Sequence, residues 1–256
     1  MALAFHSHKW MCILINRFLR KYYKMKNIFI VLFLFFGSVF ITNAQVKVYA
    51  TAGPEIIFSL AEINNNGHTG GNILRFAPVL NVQVFGNVDF GKYFGLIFGG
   101  AVRNVGFIYN WPDSNIKKKY RNYNMALPLG IKLGKMNGLM FYGGYEIEFP
   151  FAYKEKTFVN NTKTKFVEWF TPRVPSYYNS VFVGVQFPYG FSLKFKYYFS
   201  EFFNQNYRNP DGSQPYLGLK SNIWYFSLNF SIFQNKRMAY QQYKEDRIKE
   251  KEKAIY

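Results

Sequence analysis

The sequence predicts an all-β chain: an eight-stranded antiparallel up-and-down transmembrane β-barrel followed by a short charged C-terminal tail. Three observations predict it. Eight segments alternate apolar and polar residues with period two, the pattern of strands that present one face to each side of a wall. The connections between them are short and long in strict turn. Aromatic side chains make up 21% of the 256 residues, a load typical of membrane girdles, although the mean hydropathy is slightly negative. Every backbone polar group in lipid needs an internal partner, so a membrane chain without spanning helices must close a sheet on itself.

The segments justify themselves in order. Residues 46–60 set Val46, Val48, Ala50, Ile56 and Phe58 against Lys47, Thr51, Glu55 and Ser59. Residues 79–90 set Leu80, Val82, Val84, Val88 and Phe90 against Asn81, Gln83, Asn87 and Asp89. In the glycine-rich 93–108, Leu96, Phe98 and Val102 stand opposite Gly99, Ala101 and Arg103. Residues 123–134 oppose Met125, Leu127, Leu129, Ile131 and Leu133 to Asn124, Gly130 and Lys132. Residues 139–151 oppose Phe141, Tyr145, Ile147, Phe149 and Phe151 to Glu146 and Glu148. Residues 178–187 carry Val181, Val183, Val185 and Phe187 opposite Gly184 and Gln186. The pattern is plainest in 190–200, where Phe191, Leu193, Phe195, Tyr197 and Phe199 oppose Ser192, Lys194, Lys196 and Ser200. Residues 222–233 close the set, with Trp224, Phe226, Leu228, Phe230 and Ile232 opposite Tyr225, Ser227, Asn229 and Ser231.

Tight turns rich in Gly and Pro fall at Gly91-Lys92, Lys135-Met136-Asn137-Gly138 and Pro188-Tyr189-Gly190. Long connections span 61–75, 109–122, 153–176 and 205–220. Short periplasmic turns, long outward loops and both termini inside are the plan of outer-membrane barrels. A soluble barrel of lipocalin type also has eight alternating strands, and alternation alone does not say which face is outside.

Residues 28–41 form a short apolar run preceded by Met25-Lys26-Asn27 and followed by Thr42-Asn43-Ala44. A basic start, a run too short for the roughly 20 residues of a membrane helix, and small residues at the break describe a secretory leader. The domain plan that follows is a mis-assigned start at 1–24, a signal peptide at 25–44, the barrel at 45–234 and a charged periplasmic tail at 235–256. The alternative for 1–24 is an unusually long basic leader. Cys12, the single cysteine, falls ahead of Met25, so the exported chain offers neither a disulfide framework nor a thiolate metal site. The expected location is the outer membrane of a Gram-negative bacterium. Of the 32 basic residues six fall in 1–44 and none of the 14 acidic ones does, so the exported chain keeps a net charge of about +12, which fits anionic lipid, and nucleic acid is not an expected partner.

An eight-stranded wall leaves a lumen that side chains can fill. The inward positions include Glu55, Arg103, Glu146, Glu148, Lys194 and Lys196. Three acids and three bases predict a neutral network plugging the barrel, since buried charges need partners. Asp89 and Lys132 lie near the periplasmic mouth and are expected to be hydrated. The competing readings are a narrow pore for small solutes and a lipid-modifying enzyme. The last would rest on His68, the lone histidine after the leader, in the polar loop Asn64-Asn65-Asn66-Gly67-His68. No catalytic constellation, metal ligand set or cofactor motif is read here.

Outward, Trp111, Lys117, Lys118, Lys119, Lys163, Lys165 and Trp169 combine cations with aromatics. That combination suits the phosphorylated glycolipid of an outer leaflet, and equally a solvated loop beside a membrane girdle. In the tail, Glu245 and Lys249 form a helix-favouring pair. Residues 236–256 are therefore a candidate contact for a periplasmic protein, with a solvated appendage as the alternative.

The junction Asn43-Ala44-Gln45, the run Leu74-Arg75-Phe76-Ala77-Pro78, the glycine- and aromatic-rich strands and the strand count resemble the porin-like, PorT-like outer-membrane barrels of Bacteroidota. The resemblance spans roughly 45–233. It implies an outer-membrane barrel and, for some members, association with type IX secretion and gliding machinery. It transfers no functional residue. The charged tail departs from barrels that end on an aromatic residue, which would move any insertion signal inward to Phe230-Ser231-Ile232-Phe233.

Overall fold

The structure, a computed structural model, describes residues 46–231 apart from Gly70, Pro112, Asp113, Asn137 and Asn161, together with Ile248. The expected leader, the residues Ile232 and Phe233 of the expected last strand, and the tail apart from Ile248 lie outside the described residues. Among the described residues twelve strands are formed: β1 (Val46–Asn65), β2 (His68–Thr69), β3 (Asn72–Ile73), β4 (Arg75–Ala77), β5 (Val82–Phe90), β6 (Phe94–Asn110), β7 (Ile116–Gly134), β8 (Met140–Val159), β9 (Thr162–Trp169), β10 (Tyr178–Gln186), β11 (Phe191–Glu201) and β12 (Leu219–Phe230).

Eight of them close a ring. Antiparallel pairing runs β1–β5–β6–β7–β8–β10–β11–β12, and β12 returns to β1 from Glu55↔Asn229 to Asn65↔Leu219. Each segment with an expected alternation supplies one ring strand, and closure leaves the ring no open edge. β2, β3 and β4 fold back onto β1 and β6 at the outward rim.

Which face is outside separates membrane from water. On β7, Met125, Leu127 and Leu129 are at least 60% exposed, while Asn124, Ala126 and Lys132 between and below them are buried. The same inversion holds around the ring, with Val84, Phe141, Val183 and Phe226 exposed outside and Gln83, Glu146, Lys194 and Ser227 buried inside. In water so continuous an apolar belt would aggregate; in lipid it is the required surface. From Leu133 up to Tyr123, β7 rises about 34 Å along its axis, or about 26 Å in height at a tilt near 40°, which matches the apolar band of such barrels. Among the described residues no helix is long and apolar enough to cross a membrane; the strands make the crossing.

Two expected outward loops are largely strand. β7 begins at Ile116 and β8 continues to Val159, so 109–122 and 153–176 hold a three-stranded extension of β7, β8 and β9 above the belt. The lysine run reads as loop in the sequence, yet outward Lys117, Lys119 and Arg121 alternate with inward Lys118, Tyr120 and Asn122. The unpaired backbone that a loop would expose is instead paired across the extension. A bulge lies where Tyr123 pairs Ala152 while Asn124 pairs Pro150, leaving Phe151 without an opposite residue. Above it the outward positions of β8 change from odd to even numbers.

Candidate functional site

The lumen is filled in three storeys. At the end of the short turns Lys132, from β7, pairs with Asp89 of β5 and donates to Asn87 Oδ1 at 3.1 Å and Tyr49 Oη at 3.3 Å. Both charges are buried, which corrects the expectation that they are hydrated. The four-carbon stem of the lysine carries its amine across the mouth, where the acid and two further oxygens replace water.

The middle storey gathers Glu55 from β1, Arg103 from β6, Glu146 and Glu148 from β8, and Lys194 and Lys196 from β11. All six are at most 3% exposed. Arg103 is the hub. It pairs with Glu55, reaches Glu146 Oε1 from Nε at 2.6 Å and approaches Glu148 Oε1 at 3.6 Å. Lys194 meets Glu55 Oε1 at 2.8 Å, while Lys196 meets Glu146 Oε1 at 2.8 Å and also pairs with Glu148. Asn124 and the Tyr198 hydroxyl each donate to Glu148 at 2.6 Å. The six formal charges cancel, and each carboxylate touches at least one cation. This is the condition under which buried ions are tolerated.

The upper storey is aromatic. Phe107, Tyr120, Tyr153, Phe202 and Phe203 pack together inside the outward end, with ring centroids 4.9–6.5 Å apart, and Tyr216 stacks on Phe203 at 4.2 Å. Sequence reasoning assigned aromatics to the lipid girdle and missed this inner cluster. The available signal was the parity of β6, since Arg103, Val105, Phe107 and Tyr109 share one face.

The outward candidates divide by face. Lys117, Lys119, Lys163, Lys165 and Trp169 lie on the outer face of the extension; cross-strand pairing joins Lys117 to Phe158 and Phe158 to Lys163, and Lys119 to Lys156 and Lys156 to Lys165. Trp169 stacks on Phe151 at 6.0 Å, level with Tyr123 at the top of the belt. Lys118 turns the other way and donates to Glu155 Oε1 at 2.9 Å. Trp111 packs on Tyr109 against the inner aromatic cluster. The backbone of His68 pairs with Asn65 in a rim hairpin. Among the described residues no group of three or more metal-ligating side chains occurs.

Glu155 lies outside the belt. Burial works against its charge, but Lys118, the Tyr153 hydroxyl at 2.8 Å and the Thr157 hydroxyl at 3.1 Å hold its carboxyl below the ordinary carboxylate range. A depressed folded pKa contributes stability above the unfolded value, and loses it as the pH falls through the folded one. Glu155→Gln should therefore lower stability at pH 7 by up to about 1 kcal/mol, an amount limited by partial exposure. In urea titrations the gap should narrow steadily below about pH 4.3. A gap that widens in acid would contradict the pairing.

No family model matches the chain, and no curated protein matches it in sequence. Solved structures similar to it include Ail, the attachment invasion locus protein of Yersinia pestis, at 12% identity and a TM-score of 0.34, covering 72% of this chain and 99% of that one. Neisserial surface protein A is similar at 8% identity and 0.36, covering 73% and 99%. CarO of Acinetobacter baumannii is similar at 8% and 0.33, covering 71% and 96%. The closed ring, apolar outside and charged inside, is a transmembrane β-barrel.

Proposed function

We propose that the protein is a non-enzymatic outer-membrane scaffold, an envelope or secretion-associated component whose barrel is a closed anchor. One observation carries this reading: the lumen holds a charge-neutral, mutually paired hexad beneath a packed aromatic layer, an arrangement that leaves the interior to side chains. A pore would instead need a hydrated path, and a lipid-modifying enzyme would need a working nucleophile or base at the rim. Function then rests on surfaces, with residues 236–256 as the proposed contact for a periplasmic protein.

Purified protein in planar bilayers should show no steady single-channel current; sustained currents would replace the scaffold with the pore. Deleting 236–256 should leave the barrel assembled, with faster gel mobility before heating than after, while a partner recovered by cross-linking in native outer membranes is lost. His68→Ala should retain that partner. If the partner is lost through His68→Ala and kept by the deletion, the tail is not the contact.

A further inference from the structure

The outer face of the β7–β8–β9 extension carries cations in rows. Lys117, Phe158 and Lys163 form the top row, Lys119, Lys156 and Lys165 the next, and Arg121 stands opposite Lys154 below them. Four acids occur on these three strands, Glu146, Glu148, Glu155 and Glu168. All are on the other face, Glu155 and Glu168 opposite the inward-facing Tyr120 and Tyr153. Like charges directly opposite one another across strands repel, so the face is unfavourable in isolation. Partial burial together with Lys117, Arg121 and Lys163 pushes the Lys119 amine below its ordinary value, and Lys156 shifts the same way. Arg121 Nε is buried without a hydrogen-bond partner among the described residues.

The position of the face says what kind of anion would settle it. Lys117, Lys119 and Arg121 continue the line of Tyr123, Met125, Leu127 and Leu129 on one side of one strand, so the cations begin where the apolar belt ends. Tyr123, Phe151 and Trp169 mark the boundary, with ring centroids 6.4 and 6.0 Å apart. A molecule with acyl chains along Met125 and Leu127 would bring groups at the chain-to-headgroup junction to the level of Arg121 and Lys154, and groups above it to Lys119 and Lys156. An open cleft of about 680 Å³ beside Lys117, Lys119 and Phe158 gives the headgroup room.

We propose that this face docks a phosphorylated glycolipid of the outer leaflet, its phosphates on the cation rows and its acyl chains on β7 and β8. The bulge at Phe151 is the device that builds the site. Without it Lys154 and Lys156 would share the inward face with Glu146 and Glu148. The proposal stands on the membrane location alone, because a conducting barrel would keep the same outer face.

The test compares retention of bisphosphorylated lipid A with that of its dephosphorylated form, by native mass spectrometry of the full-length protein in detergent. The wild type should hold the phosphorylated lipid at least tenfold better. Each cation near an anionic surface contributes about 1 kcal/mol, so Lys119→Ser/Lys156→Ser/Lys165→Ser should weaken retention about 100-fold while keeping the heat-dependent gel shift of a closed barrel. If the triple variant does not assemble, Lys156→Ser/Lys165→Ser serves with an expected loss of about 30-fold. Equal retention of both lipids by the wild type overturns the proposal, and so does a folded variant that binds like wild type. Preference for a soluble heparin oligosaccharide over the lipid would assign the face to a free polyanion and overturn it too.

Discussion

Arg103→Leu should bring the barrel close to the limit of its stability. Removing one partner of a buried ion pair costs about 3–5 kcal/mol because the other charge is stranded. Arg103 faces three carboxylates, Glu55, Glu146 and Glu148, which puts the expected loss at about 5 kcal/mol. Domains of this size have about 5–15 kcal/mol in total. Urea titration in lipid vesicles, read by the unheated gel mobility, should show the loss as a large drop in midpoint. The double variant Arg103→Leu/Glu146→Leu is the informative partner. It leaves Lys194 with Glu55 at 2.8 Å and Lys196 with Glu148 as two complete pairs, so more than half of the loss should return. If the single variant is as stable as wild type, or the double is worse than the single, the hexad is not the closed, interdependent plug drawn here.

That plug shows why some of the molecule was legible in sequence and some was not. Parity alone places Glu55, Arg103, Glu146, Glu148, Lys194 and Lys196 on inner faces, because side chains alternate without exception along a regular strand. It cannot say how far a side chain reaches. Lys132 was expected in water, but its stem spans the mouth to Asp89 and Asn87. Parity also fails across a bulge. Lys154 and Lys156 carry the numbers of inward residues and point outward, since Phe151 adds one unpaired position. Trp111 and Lys118 were grouped with the outward cations by nearness in sequence, yet nearness along a strand puts neighbours on opposite faces. The aromatic layer was hidden for a different reason. Phe107, Tyr120 and Phe203 have the composition of a girdle, and only the register says that they meet inside.

One small residue sets how closely the last strand approaches the first at the foot of the seam. Gly53, on the inner face of β1, lies just below the first pair that joins the first strand to the last, Glu55↔Asn229. A Cβ at Gly53 would fall on the carbonyl oxygen of Phe230, with the carbonyl carbon at 2.7 Å and Ser231 Cα at 3.3 Å. These are backbone atoms, so no side-chain rotation can relieve the overlap and β12 must move off β1. Gly53→Ala should therefore cost about 3 kcal/mol, the upper end of ordinary overpacking, and should appear as a larger fraction of open, heat-insensitive protein after refolding into vesicles. Gly100→Ala is the matched control. On β6 a Cβ meets nothing nearer than the Ala126 carbonyl oxygen at 3.9 Å, so that change should be neutral or stabilise slightly by restricting the unfolded chain. Both variants add one methyl group to one strand of the same wall; although Gly100 faces the apolar belt, the roughly 0.8 kcal/mol that a buried methyl gains and strand propensity cannot account for a gap of about 3 kcal/mol. Only the approach of the last strand to the first can. Equal stability of the two would mean that β1 and β12 do not close at Gly53, and a seam that opens with Gly53→Ala while Gly100→Ala is silent would locate the closing contact there.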